Sequence, residues 1–292
     1  MKQLLFLSIA ALATALMLSF SFKKAAPETL SPECYISCFN LSTSDIIQMD
    51  AVKPGFAALH ENPKSFKLEN PLGEMISMTA SDGINASGYL IKSQKKSKKW
   101  LIVIQEWWGL NDYIKQESEK YFKELGDVNV LAVDMYDGKV ATTRDSAMVY
   151  MSGAKKERLE NIVKAAISYA GDKAKIYTVG WCFGGGWSLQ ASIIAGKQAN
   201  GCVMFYGRPE KDIERLKTLN CDVIGFFGNL DKGIPSTVVN EFEANMKTAE
   251  KNISVNKYEA GHGFANPSNP SFNKVATEDA FTKAIKFLKE RM

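Results

Sequence analysis

Five cysteines and two histidines bound the nucleophilic chemistry open to this chain of 292 residues. One cysteine stands apart. A strand-like run at 175–180 leads straight into Trp181-Cys182-Phe183-Gly184-Gly185-Gly186, and an apolar helical pattern follows. A nucleophile carried on such a sharp strand–turn–helix bend is strained, and side chains two residues to either side of it would collide. Gly180 and Gly184 occupy those two places. The helix that follows directs the positive end of its dipole at the sulfur, which favours thiolate, and Phe183 N–H is placed to bind an oxyanion. The competing reading is a small apolar residue at a tight packing point. A phosphate cradle fits less well, because no Lys-Ser/Thr pair follows the glycines.

A thiol nucleophile needs a base, and the base needs an orienting acid. His262 lies in Glu259-Ala260-Gly261-His262-Gly263-Phe264, just past an apolar strand pattern, with glycines on both sides that leave the backbone free to aim the ring. His60 precedes the first sheet strand and is read as part of a leader. Asp231 closes the run Phe226-Phe227-Gly228-Asn229-Leu230-Asp231. Taken singly, it reads as a turn-forming aspartate. Nucleophile, acid and histidine each follow a strand, in that order, and together they favour a Cys182–His262–Asp231 triad. Glu106, in Ile104-Gln105-Glu106-Trp107-Trp108-Gly109, ends another strand beside two tryptophans. Trp107 N–H is the candidate second oxyanion donor.

These residues need strands that end on one side of a sheet. The pattern predicts strands at 74–80, 87–92, 100–104, 128–133, 175–180, 201–206, 223–228 and 254–259. Helices are expected at 112–125, 146–170, 184–195, 237–251 and 277–291, with a short one near 57–60. Alternating strands and helices imply an α/β domain with a mostly parallel central sheet and helices on both faces. That domain is expected over 74–292. Residues 27–73 carry five of the nine prolines and no strong periodicity, and read as a leader segment.

The amino terminus reads as an address. Lys2 precedes an apolar run from Leu4 to Phe22, as in a secretory signal, so 1–26 is expected to be a signal peptide and the body exported. An uncleaved membrane anchor is the alternative. The net charge of +4 comes mostly from Lys2, Lys23 and Lys24. Without them 33 basic residues face 32 acidic ones, which gives no reason to expect a nucleic-acid partner. Cys34 and Cys38 lie close enough in sequence to close a small loop. Cys202 and Cys221 read as two buried thiols, with a bridge between neighbouring strands as the alternative.

Residues 74–290 resemble the dienelactone hydrolase family of α/β-hydrolases. The resemblance rests on Gln105-Glu106-Trp107-Trp108-Gly109, Gly180-Trp181-Cys182-Phe183-Gly184-Gly185, the segment from Gly228 to Asp231, and Gly261-His262-Gly263-Phe264. It implies the α/β-hydrolase fold, a triad of Cys182, His262 and Asp231, and a glutamate at Glu106 that holds the resting thiol. It also implies that Tyr206 lines the site. Trp107, Trp108, Tyr206 and Phe264 then suggest an aromatic wall suited to an apolar or aromatic acyl group. The expected reaction is hydrolysis of an activated ester or lactone through an acyl-enzyme, with no metal or organic cofactor. Acyl transfer on the same fold and a non-catalytic binding protein are the alternatives. The family's founding enzymes hold a dienelactone carboxylate with two arginines. Asn266 stands at one of those places, and Arg144 is the nearest arginine to the other, which follows the strand ending near Asp134.

Overall fold

Five consecutive strands of this chain are almost wholly buried runs, and that burial dictates helices on both sides of them. The computed structural model describes residues 54–292. The segment read as a signal peptide, Cys34 and Cys38 lie outside the described residues. The strands are β1 (Glu74–Met78), β2 (Ala86–Ile91), β3 (Lys99–Ile104), β4 (Asn129–Val133), β5 (Lys175–Trp181), β6 (Ala199–Phe205), β7 (Val223–Gly228) and β8 (Ile253–Tyr258). They form one eight-stranded sheet in the order β1-β2-β4-β3-β5-β6-β7-β8. β2 runs antiparallel to both its neighbours, and the pairs from β4 through β8 are parallel.

The helices are α1 (Pro54–Ala58), α2 (Asp112–Leu125), α3 (Arg144–Gly153), α4 (Lys156–Ala170), α5 (Phe183–Ala195), α6 (Ile213–Lys217), α7 (Ser236–Thr248) and α8 (Lys274–Lys289). The two-residue period of β3 splits the core. Trp100, Ile102 and Ile104 join Leu159, Ile162 and Ala166 of α4 and Trp187 of α5 on one face. Leu101 and Val103 join Ile114 and Tyr121 of α2 and Ala280, Ala284 and Leu288 of α8 on the other. A third cluster seats Val239, Phe242 and Met246 of α7 against Val223 and Phe227 of β7. Among the described residues no helix is long and apolar enough to cross a membrane.

The sheet and its crossovers follow the sequence expectation, with one correction. The single helix expected at 146–170 is two helices. Ala154 and Lys155 adopt extended backbone (ψ 117° and 134°) between Gly153 and Lys156. Gly153 is a weak helix former, and the break lets α4 start afresh with its apolar stripe on the sheet. Arg158, in the first turn of α4, is then gripped by Asp82 and Asp137 and by the carbonyls of Ile84 and Asn85. These partners lie far away in sequence, so periodicity gave no sign of them.

The segment read as a leader is hydrogen-bonded to the domain. From residue 54 onward it runs along the domain. Asn269 donates to the Leu59 carbonyl (3.2 Å), and Asn62 accepts from Arg144 N–H (2.9 Å). Leu68 N–H donates to Asp112 (3.0 Å), and Leu72 N–H to Glu119 (2.9 Å). Cys202 and Cys221 are both free thiols.

Candidate active site

The bend after β5 is set by backbone packing. Cys182 has φ 55° and ψ −116°, a left-handed conformation that costs a non-glycine residue of order 1–3 kcal/mol. It caps α5, which begins at Phe183. A Cβ on Gly180 would sit 2.0 Å from the Gly184 carbonyl oxygen, and one on Gly184 would sit 2.3 Å from the carbonyl oxygens of Ile104 and Gln105. The two glycines therefore let β5, α5 and the end of β3 close on one another. Cys182 N–H is fixed by the Phe205 carbonyl at 3.0 Å.

Strand ends deliver the partners. His262 follows β8, and its Nε2 lies 3.3 Å from Cys182 Sγ. Its Nδ1 lies 2.7 Å from Asp231 Oδ2, in the turn after β7. The other oxygen of Asp231 accepts from the N–H groups of Gly233 (2.7 Å) and Ile234 (3.0 Å), so the carboxylate is pinned from behind. Cys182 and His262 are 4% and 3% exposed, and Asp231 is buried.

Electrostatics follow from that burial. For Asp231, burial favours the neutral acid, but the His262 ring and the hydrogen bonds outweigh it and hold the carboxyl below its usual range. For His262, burial disfavours the charged ring, but Cys182 and Asp231 outweigh it and raise the pKa well above the ordinary histidine value. Burial pushes the Cys182 thiol up, while His262 and Phe183 N–H pull it back. A proton can thus pass between Sγ and Nε2 over a short path, with Asp231 stabilising the imidazolium.

The dienelactone hydrolase family model matches residues 86–292. The chain belongs to the dienelactone hydrolase family. It is 26% identical over 236 residues to a carboxymethylenebutenolidase of Pseudomonas sp., covering 75% of this chain and 95% of that protein. It is 24% identical over 231 residues to carboxymethylenebutenolidase 1 of Cupriavidus pinatubonensis, covering 74% and 97%. Among solved structures it is similar to a dienelactone hydrolase-like promiscuous phosphotriesterase from metagenomic libraries. That match has a TM-score of 0.65 at 19% identity and covers 75% of this chain and 99% of the other. The fold is the α/β-hydrolase fold of the dienelactone hydrolases.

Against that family frame, Glu106 departs from the latch that the resemblance implied. Its carboxylate accepts from Tyr206 O–H (3.2 Å) and Asn266 Nδ2 (2.5 Å), and no hydrogen bond joins it to Cys182 among the described residues. Asn266, at the place of a substrate-binding arginine, is instead a partner of this glutamate. Burial raises the Glu106 pKa to about 7, against the opposing pull of His262, Asn266 and Tyr206. A small cleft opens beside it, lined in part by Asn111, Tyr113, Ile114, Trp181 and Asn266. Of the expected aromatic wall, Trp108 packs on Trp107 with its ring 6.4 Å from that of His60, and Tyr206 lies beside the triad histidine. Tyr206 has its ring 5.1 Å from that of His262. Phe264 is instead packed behind, between Tyr206 and Tyr258. Phe183, at the start of α5, and Trp107, at the end of β3, carry the two N–H groups expected to face an oxyanion. Trp107 is fully buried, and its indole N–H finds no partner among the described residues.

The histidine read as part of the leader is in the site. His60 Nε2 lies 3.5 Å from Cys182 Sγ, and its Nδ1 lies 3.0 Å from the Phe56 carbonyl oxygen. Its ring packs 4.4 Å from that of Trp107 and 5.0 Å from that of His262. Burial and the charge of His262 lower its pKa to about 3, so this imidazole is neutral. Phe56 stacks edge-on against Trp107 at 5.2 Å. The sequence signal for this placement was slight: a single histidine at the end of a short helix pattern. The ligand atoms of His60, Cys182 and His262 all lie within 4.8 Å of one another, the one group of three among the described residues able to hold a metal ion.

Proposed function

We propose that the chain is a cysteine hydrolase of carboxylic esters or lactones, working through an acyl-enzyme. The observation that carries the mechanism is the Asp231–His262–Cys182 relay, 2.7 Å and 3.3 Å long, on a strained bend at the head of α5. His262 Nε2 takes the thiol proton as Sγ attacks the acyl carbon. The tetrahedral oxyanion is met by Phe183 N–H and Trp107 N–H. Collapse of the intermediate expels the alkoxide, which leaves with the proton held on His262. Water, deprotonated by the same nitrogen, then cleaves the thioester and returns the free thiol.

The substrate class follows from the family and the names of its relatives, two of which are carboxymethylenebutenolidases. Asn266 turned toward Glu106, in place of an arginine, favours an uncharged acyl group over an anionic one. The rings of Trp107 and Trp108, packed on His60, and of Tyr206, packed on His262, favour an apolar or aromatic one. The apolar run before Phe22 supports export of the body to an oxidising compartment. Burial of the thiol beneath the 54–60 segment suits that setting, because access governs sulfur oxidation.

Hydrolysis of p-nitrophenyl acetate by the purified protein, beside Cys182→Ala and Cys182→Ser, tests this reading. Turnover that disappears in Cys182→Ala, with the circular dichroism spectrum unchanged, is the expected result. Undiminished turnover in that variant would overturn it.

A further inference from the structure

Two imidazole nitrogens converge on one sulfur, and a triad uses only one of them. Each ring is turned so by a partner on its far side. A backbone carbonyl can only accept, so His60 Nδ1 must carry a hydrogen toward Phe56 O. His262 Nδ1 donates to Asp231. Both Nε2 atoms therefore aim at Cys182 Sγ, at 3.5 and 3.3 Å. The thiol has one proton to offer, and it satisfies one nitrogen. The other is a buried lone pair directed at sulfur, an arrangement a cation would relieve.

Both sulfur–nitrogen spacings are those of a metal site, and the two nitrogens lie within 4.8 Å of each other. Zinc bonds of about 2.3 Å to sulfur and 2.0–2.1 Å to nitrogen, at tetrahedral angles, put ligand atoms about 3.5 Å apart. The far-side partners are the kind that orient metal-bound histidines: a carboxylate on one ring and a backbone carbonyl on the other. Thiolate with two imidazoles selects zinc and copper over magnesium or calcium.

We propose that His60, Cys182 and His262 form a binding site for a zinc-class divalent ion, and that the bound ion silences the hydrolase. The silencing clause rests on the thiol mechanism above; the site itself does not. On binding, the ion replaces the Cys182 thiol proton, which leaves to solvent, and accepts a lone pair from each Nε2. No electron is transferred. The nucleophile and its base are then both occupied. The triad alone supplies two ligands, and the segment before the sheet supplies the third.

The test uses the full chain stripped with EDTA. Cobalt(II) is the spectroscopic probe, and zinc(II) the competitor. The expected result is one cobalt bound per chain, with a thiolate-to-cobalt charge-transfer band that zinc displaces and Cys182→Ser abolishes. Loss of a second-shell partner costs about 10–100-fold in affinity, so His60→Ala and His60→Gln should weaken zinc by at least about 100-fold. Circular dichroism on each variant checks that it is folded. Ester hydrolysis by the stripped protein should fall to background with one equivalent of zinc and return with EDTA. The proposal is overturned by absence of the thiolate band, by equal zinc affinity in both His60 variants, or by a zinc-loaded protein that turns over ester at the stripped rate. A stripped protein that binds cobalt through Cys182 and His60 yet hydrolyses no ester would support the site and overturn the hydrolytic reading instead.

Discussion

The strand-end frame and the segment lying over it place their residues by different means. Cys182, Asp231 and His262 stand where a strand stops, and the local chain dictates each position: Gly180 and Gly184 admit the bend, and the Gly233 and Ile234 N–H groups pin the carboxylate. His60 reaches the same sulfur from outside the sheet. It is held by scattered long-range contacts, such as Asn269 to the Leu59 carbonyl and Phe56 on Trp107. The frame is rigid because backbone meets backbone in it. The segment is held by a few side chains, so it can be loosened without dismantling the domain.

The sharpest ways to test that contrast act on the frame. Cys182→Ala should lower kcat/KM for p-nitrophenyl acetate by about 10,000-fold or more, measured by steady-state kinetics. Asp231→Asn should cost about 1,000- to 10,000-fold, because the amide cannot stabilise the imidazolium and permits the wrong tautomer. Gly184→Ala should destabilise the fold by about 3 kcal/mol or more in a denaturant titration, since the new methyl would meet two backbone carbonyls at 2.3 Å. A small effect there would mean that the bend is soft, and the contrast would blur.

Glu106 offers a test by pH. Its pKa is raised from the ordinary 4.5 to about 7 by burial, so the folded protein holds this proton more tightly than the unfolded chain does. Below about pH 4.5 both states are protonated, and the group is neutral in its effect. Between about pH 4.5 and 7 the unfolded chain gives up this proton while the buried carboxyl keeps it, so about 3 kcal/mol of stability is lost across that window, and the loss levels off above it. Glu106→Gln should remove that slope between about pH 4.5 and 7, as read from urea midpoints at each pH. The smallest effect is expected on the segment. Phe56 is half-buried, so Phe56→Ala should cost only about 1–2 kcal/mol, below the range for a fully buried ring. Iodoacetamide labelling of Cys182 should nevertheless quicken several-fold, because the cover over the sulfur loosens. Labelling at an unchanged rate would show the segment to be no barrier.

How legible each region was in the sequence follows the same divide. The strands, most helices and the order of Cys182, Asp231 and His262 could be read because local patterns cause them: buried runs, helical spacing, and glycines where chains must touch. The break at Ala154 and Lys155 was hidden, because the stripe of α4 resumes in phase too soon for periodicity to register a stop. Glu106 was recognised as a site residue, but its hydrogen-bond partners were not. Asn266 looked like a missing arginine, and only the closeness of the two loops shows it turned onto the glutamate. His60 was out of reach altogether. Its placement depends on Trp107, Phe56 and Asn269 meeting in space, and no spacing rule connects residues 60 and 182.

The central claim is that Cys182 becomes acylated during turnover. Rapid mixing of the metal-free protein with p-nitrophenyl acetate, quenched in acid and analysed by peptide mass spectrometry, tests it directly. The account predicts a burst of nitrophenolate approaching one per chain, with the acetyl group on the peptide carrying Cys182. Turnover with no burst and no acetylated Cys182, under conditions where product still accumulates, would contradict it.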